Sequence, residues 1–166
     1  MARWEPEQTV TLSVLERLID REPANSVEAP LTRAQSVRLL KSALRRDLEW
    51  LLNSRRIPEP AGGELKELER SVYNHGLPDI TSLNWESSRD RMRLTRMIEQ
   101  TLTLFEPRIG RLKVVPVESG SGPQHVLRFQ IEGLLDMDPA PEHISFDTVL
   151  QLSSGEYQVK GDASAG

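Results

Sequence analysis

Apolar positions recur at helical spacing along the first two thirds of the chain and then switch to strict alternation. Ser13-Val14-Leu15-Glu16 reads as a capping box that opens a short helix carrying Leu15, Leu18 and Ile19. A second box, Thr32 to Gln35, precedes Val37, Leu40, Leu44, Leu48, Leu51 and Leu52, which share one stripe of what should be the longest helix. Leu65, Leu68 and Val72 predict a helix over 64–74, stopped by Gly76 and Pro78. Ser87 with Asp90 starts another, whose stripe runs Leu94, Ile98, Leu102 and Phe105. Beyond Pro107 the period becomes two. Strands are predicted near Leu112–Val117, Val126–Leu135 and Ile144–Leu152, each with one apolar face. Helices first and antiparallel strands afterwards imply an α+β fold, with the helices on one face of a small sheet.

The proline-bracketed segment from Glu22 to Pro30 reads as a linker, so residues 1–30 are expected as a detached helix and linker. Residues 31–160 then form a single α+β domain, and 161–166 a disordered tail. Ile57–Gly63 reads as a loop and Ser119–Pro123 as a hairpin connection. The chain of 166 residues is 37% hydrophobic and 28% charged, ordinary for a folded protein. It has no cysteine, which excludes disulfides and thiolate metal sites. No apolar run approaches membrane-spanning length and the N-terminus shows no signal-peptide pattern, so a cytoplasmic location without membrane insertion is expected. The net charge of -4 is unevenly spread: Leu31–Arg56 holds seven bases and two acids, and Glu132–Gly166 seven acids and one base. Such polarity can orient a subunit between two different neighbours. Nucleic acid is not an expected partner, because the basic stretch is one helix long and aromatics are few.

Candidate chemistry concentrates at Glu106-Pro107-Arg108, where the chain leaves the last helix. Proline locks its own φ, lacks an amide donor and biases Glu106 away from helical geometry, so two opposite charges sit at a rigid turn. On chemistry alone this is an ion pair closing a helix end. Enzymatic alternatives are thin. His75, His125 and His143 have no i,i+4 pairing for a metal site, and no nucleophile elbow, P-loop or dinucleotide fingerprint occurs. No cofactor is expected. Two carboxylates would suffice for glycoside hydrolysis, but Arg108 favours the ionised form of Glu106 and no second acid has a clear claim.

Four segments in order resemble the TssE family of type VI secretion baseplate subunits, related to the baseplate wedge protein of contractile phage tails. They are Ser13–Leu18, Asp47–Arg56, Ser71–Asp79 and Phe105–Arg108, supported by the patterns Leu127–Gly133 and Ile144–Thr148. His75 stands where the family commonly has an aromatic residue. The resemblance implies a non-catalytic subunit that binds the wedge proteins TssF and TssG, alongside TssK, in a baseplate docked near the inner membrane. It further implies a link to the first sheath ring and a role as template for sheath polymerisation. The family is often labelled lysozyme-like, which makes a peptidoglycan-cleaving glycoside hydrolase the alternative. Expected partner contacts are Glu106, Pro107 and Arg108 toward the wedge, and Leu15 and Leu18 on the first helix. Three strands leave open edges, and edges invite added strands. Pro116 guards the first strand, whereas Ile144–Leu152 has no proline, so Ile144, Phe146 and Thr148 are expected to line the edge that accepts a sheath arm.

Overall fold

The computed structural model describes residues 10–20, 23–24, 30–59, 64–117, 126–138 and 140–162. Its elements follow in the order α1 (Val14–Leu18), α2 (Arg33–Asn53), α3 (Lys66–Glu69), a 3₁₀ turn (Val72–Asn74), α4 (Ser88–Phe105), β1 (Ile109–Val117), β2 (Val126–Leu135), β3 (Glu142–Gln151) and β4 (Tyr157–Asp162). The four strands form one antiparallel sheet in the order β1-β2-β3-β4. The fold class is therefore α+β, as the change of period implies. By compactness the chain divides into residues 1–44 and 45–166, a division that falls inside α2.

In the first unit, Ser13 caps α1 by accepting from the Glu16 amide at 3.3 Å. The helix ends after five residues because Ile19 is extended. Glu16 is buried, while Leu15 and Leu18 are exposed by 44% and 76%. The Thr32–Gln35 box forms reciprocally, with Thr32 N donating to Gln35 Oε1 at 2.9 Å and Gln35 N to Thr32 Oγ1 at 3.3 Å.

In the second unit, the sheet buries one face through alternation: Phe129, Ile131 and Leu135 on β2, Ile144, Phe146, Thr148 and Leu150 on β3, and Tyr157 and Val159 on β4. α4 packs on β1 and turns Leu94, Ile98 and Leu102 inward, all within 1% of complete burial. Two expectations fail here for local reasons. The helix predicted over 64–74 is broken, because Ser71 donates its hydroxyl to Leu68 O at 2.8 Å and accepts from Tyr73 N at 3.2 Å, offering the backbone an alternative to helical bonds. The strand β4 was hidden behind the turn at Ser153–Gly155, although Tyr157-Gln158-Val159 alternates as a strand should. Gly161 and Asp162, assigned to a disordered tail from sequence, belong to β4, and 163–166 lie outside the described residues. The Ser119–Pro123 connection and the end of the 57–63 loop also lie outside them.

Gly76 fixes how the chain returns after α2. Its φ is +104°, and a Cβ there would sit 2.5 Å from the Ser54 carbonyl oxygen. That carbonyl accepts from Leu77 N at 2.9 Å, and Leu77 O accepts from Arg56 N at 3.1 Å, so the backbone cannot move aside without losing both bonds. Gly76→Ala should cost about 2 kcal/mol, since both positive φ and the contact must be relieved. Urea denaturation measures this, and an unchanged midpoint would show that the segment repacks freely.

Burial also leaves polar atoms without partners. Among the described residues neither Tyr157 OH nor Thr148 Oγ1 has a hydrogen-bond partner. Desolvation raises the Tyr157 pKa well above the usual phenol value. A raised phenol pKa stabilises the folded chain below the unfolded-state value and loses that contribution as pH climbs above about 10. Tyr157→Phe should raise stability by about 1 kcal/mol at neutral pH, because an unpaired buried hydroxyl is removed. It should also flatten the alkaline limb of the stability profile; a variant less stable than wild type would mean the hydroxyl is satisfied.

Candidate partner-binding site

Glu106 is the C-cap of α4, its amide donating to Leu102 O at 2.8 Å with φ -123° and ψ 72°. Pro107 carries the chain out of the helix, and the turn closes when Ile109 N donates to Glu106 O at 3.2 Å. Arg108 O then accepts from Asp136 N at 2.9 Å, tying the turn to the end of β2. On this rigid frame Arg108 Nε donates to Glu106 Oε1 at 2.6 Å and Nη2 to Glu106 Oε2 at 2.5 Å, a bidentate pair. Nη2 also donates to Asp47 Oδ2 on α2 at 2.8 Å. Asp47 Oδ1 in turn accepts from Arg46 Nη2 at 3.0 Å and Nε at 3.3 Å. The Arg46 guanidinium lies 5.1 Å from the centre of the Trp50 ring.

The four charges cancel, and burial assigns their roles. The Glu106 side chain is 6% exposed and Arg108 30%. Both Glu106 oxygens are spent on Arg108, so the acid holds the guanidinium in place and has no oxygen left over for a partner. The Arg108 pKa is raised, first by its bond to Glu106 and then by that to Asp47, against an opposing desolvation. The guanidinium is charged at every pH the protein meets. Its Nη1 has no partner among the described residues. Beside it stands Trp50, 59% exposed. Neither Asp47 nor Trp50 was singled out from sequence as a partner contact, although their i,i+3 spacing on α2 and an exposed tryptophan were available signals.

The predicted acceptor edge is contradicted. β3 lies between β2 and β4, with Phe129 opposite Thr148 on one side and Val159 opposite it on the other. Ile144, Phe146 and Thr148 are buried to 0–1% exposure. They line the core, because the unforeseen β4 takes the place a partner strand was expected to fill. β4 is itself covered. Arg45 Nη1 donates to Val159 O at 3.2 Å, Val159 N to Glu49 Oε2 at 3.0 Å, Asn53 Nδ2 to Tyr157 O at 2.9 Å, and Tyr157 N to Asn53 Oδ1 at 2.9 Å. Four residues along a helix advance about 6 Å and two along a strand about 6.6 Å. Side chains at 49 and 53 thus fall in step with Val159 and Tyr157, Arg45 adds a second bond to Val159, and α2 substitutes for a fifth strand. At the opposite edge β1 has Pro116, a register shift between Gly110 and Lys113 with Arg111 at φ 51°, and, among the described residues, one long side-chain bond, from Val114 N to Glu99 Oε2 at 3.4 Å. β1 is the less guarded edge.

The sequence profile of the baseplate wedge protein gp25 family matches residues 38–140, more than half of the chain. The chain belongs to this family. As a baseplate wedge protein it has its match running from α2 through the Glu106–Arg108 turn to the end of β2, so the family's extent contains the whole ionic network and ends before β3. No curated protein and no solved structure gives a significant match. Among the described residues, no helix is long and apolar enough to cross a membrane.

Proposed function

We propose that this baseplate wedge protein is a non-catalytic adaptor of a type VI secretion baseplate, joining the wedge proteins TssF and TssG to the first sheath ring and templating sheath growth. The observation that carries the reading is the family match over the ionic turn and its surroundings. The wedge contact is assigned to Arg108, presented by Pro107 and Glu106, together with the exposed ring of Trp50 and, on the first unit, the exposed Leu15 and Leu18 of α1. Tryptophan and arginine are the side chains that most often dominate interfaces. The sheath contact is assigned to the β1 edge, where an added strand meets one weakly held amide rather than the four occupied groups of β4. The glycoside hydrolase alternative is disfavoured, because Glu106 accepts two arginine hydrogen bonds and the next carboxylate, Asp47, is held by two arginines.

Reconstitution of the purified chain with wedge and sheath components tests this. Trp50→Ala should weaken wedge binding about thirtyfold, a loss near 2 kcal/mol typical of an interface hot spot, while leaving thermal stability unchanged. The absence of native cysteine permits a clean second arm. A bulky maleimide on Lys113→Cys of β1 should stop sheath initiation without touching wedge binding, and the same adduct on Lys160→Cys of β4 should do neither. Full wedge affinity in Trp50→Ala, or sheath growth from the Lys113 adduct, would reject the corresponding contact. Clearance of cell-wall suspensions by the pure chain, abolished in folded Glu106→Gln, would favour the enzyme.

A further inference from the structure

Along the solvent side of α4, opposite its core stripe, runs a groove bounded by the segment that follows α2. Two neighbouring cavities of about 470 Å³ each both have Gln100 and Leu104 in their lining. Arg93, Arg96, Gln100 and Leu104 recur at spacings of three and four on α4, and the stripe from 93 to 104 spans about 16 Å, room for about three helical turns. Met97, Leu104 and Phe105 supply apolar surface there beside the polar Asn74, Gln100 and Thr101, and His75 meets Phe105 edge-on at 5.3 Å. Leu104 is 41% exposed.

The rim is cationic. Arg56 and Arg93 line one cavity and Arg70 and Arg96 the other, all four exposed. Among the described residues none of these guanidiniums has a hydrogen-bond or ion-pair partner. The acids here are Glu69 and Glu99, and Glu99 is turned toward the Val114 amide. A groove with four unpaired arginines on a chain of net charge -4 is a local reversal of sign. Fold maintenance does not require it, since unpartnered surface arginines contribute little to stability. Apolar side chains set among four arginines fit one chemistry of occupant best.

We propose that the α4 groove binds an acidic amphipathic helical segment of a partner protein, apolar residues seated on Met97 and Leu104 and carboxylates on Arg56, Arg70, Arg93 and Arg96. This surface does not include Arg108 or Trp50, and it borders the β1 edge only at Glu99, whose carboxylate accepts from Val114 N, so its arginines can be tested independently of those assignments. A photo-crosslinking residue placed at Gln100 in the full chain, expressed in its native host, tests it, with mass spectrometry identifying the captured segment. The expected capture is a segment of net negative charge with apolar residues three and four apart. Arg93→Glu with Arg96→Glu should cut its yield at least about tenfold, and the milder Arg93→Gln with Arg96→Gln should cut it less while certifying that the fold survives. Capture of a basic segment, of nucleic acid or of a second copy of this chain, or yield unaffected by either pair of substitutions, would overturn the proposal.

Discussion

Arg108→Ala is expected to destabilise the folded chain by about 3 kcal/mol, before any partner is added. Removing one member of a buried pair leaves the other charge uncompensated, a loss of about 3–5 kcal/mol when both are buried. Arg108 is 30% exposed, which places the effect at the lower end of that range. The burden falls on Glu106, whose side chain is 6% exposed and which takes both of its strong bonds from this guanidinium. For a chain of this size the melting temperature should fall by about 6–12 °C. Adding Glu106→Gln to Arg108→Ala removes the stranded charge and should recover part of the loss, and a double-mutant cycle reads the coupling. Arg108→Lys tests the geometry separately, because an ammonium cannot satisfy two Glu106 oxygens and Asp47 in one plane. A cycle with no coupling would mean the turn is held by Pro107 and the backbone bonds alone.

This result would also separate two readings of the turn that look identical in sequence. As a docking motif, Glu106 and Arg108 would face outward and their loss would spare folding. In the structure the acid is internal and only the base has a free edge, so the same substitutions act on folding first and on wedge binding second. Partner affinity must therefore be compared at equal folded fraction.

What could be read from the chain follows from range. α2 and α4 announce themselves through capping boxes and long stripes, and β1 to β3 through period two, because each signal lies within one element. The ionic turn was legible because proline acts on its neighbours. Asp47 was not, since its approach to Arg108 joins residues 61 apart. Which face of α1 is buried was not legible either, because a five-residue helix has too few positions for its stripe to decide it. The acceptor edge failed for the same reason at larger scale. An edge is a property of the sheet order, and a single overlooked strand moved β3 from rim to centre.

Stripping the helical cover from β4 should then create the open edge that was expected on β3. Glu49→Leu with Asn53→Leu deletes three of the four bonds from α2 to the strand: those to Val159 N, Tyr157 N and Tyr157 O. At about 1 kcal/mol net for each, the loss is about 3 kcal/mol. Leucine at these positions also prevents water from easily replacing the lost partners, so the strand amides are left searching for new ones. Edge strands in that state pair with other chains. The double variant should therefore lose stability and also gain concentration-dependent self-association, visible by sedimentation, with exchange protection retained at β3 and lost at Tyr157 and Val159. Arg45→Met, which removes one 3.2 Å bond to Val159 O, should show neither effect strongly. If the double variant stays monomeric with β4 protected, main-chain pairing to β3 alone holds the strand. The α2 side chains would then be incidental, and the case for β1 as the less guarded edge would fall with them.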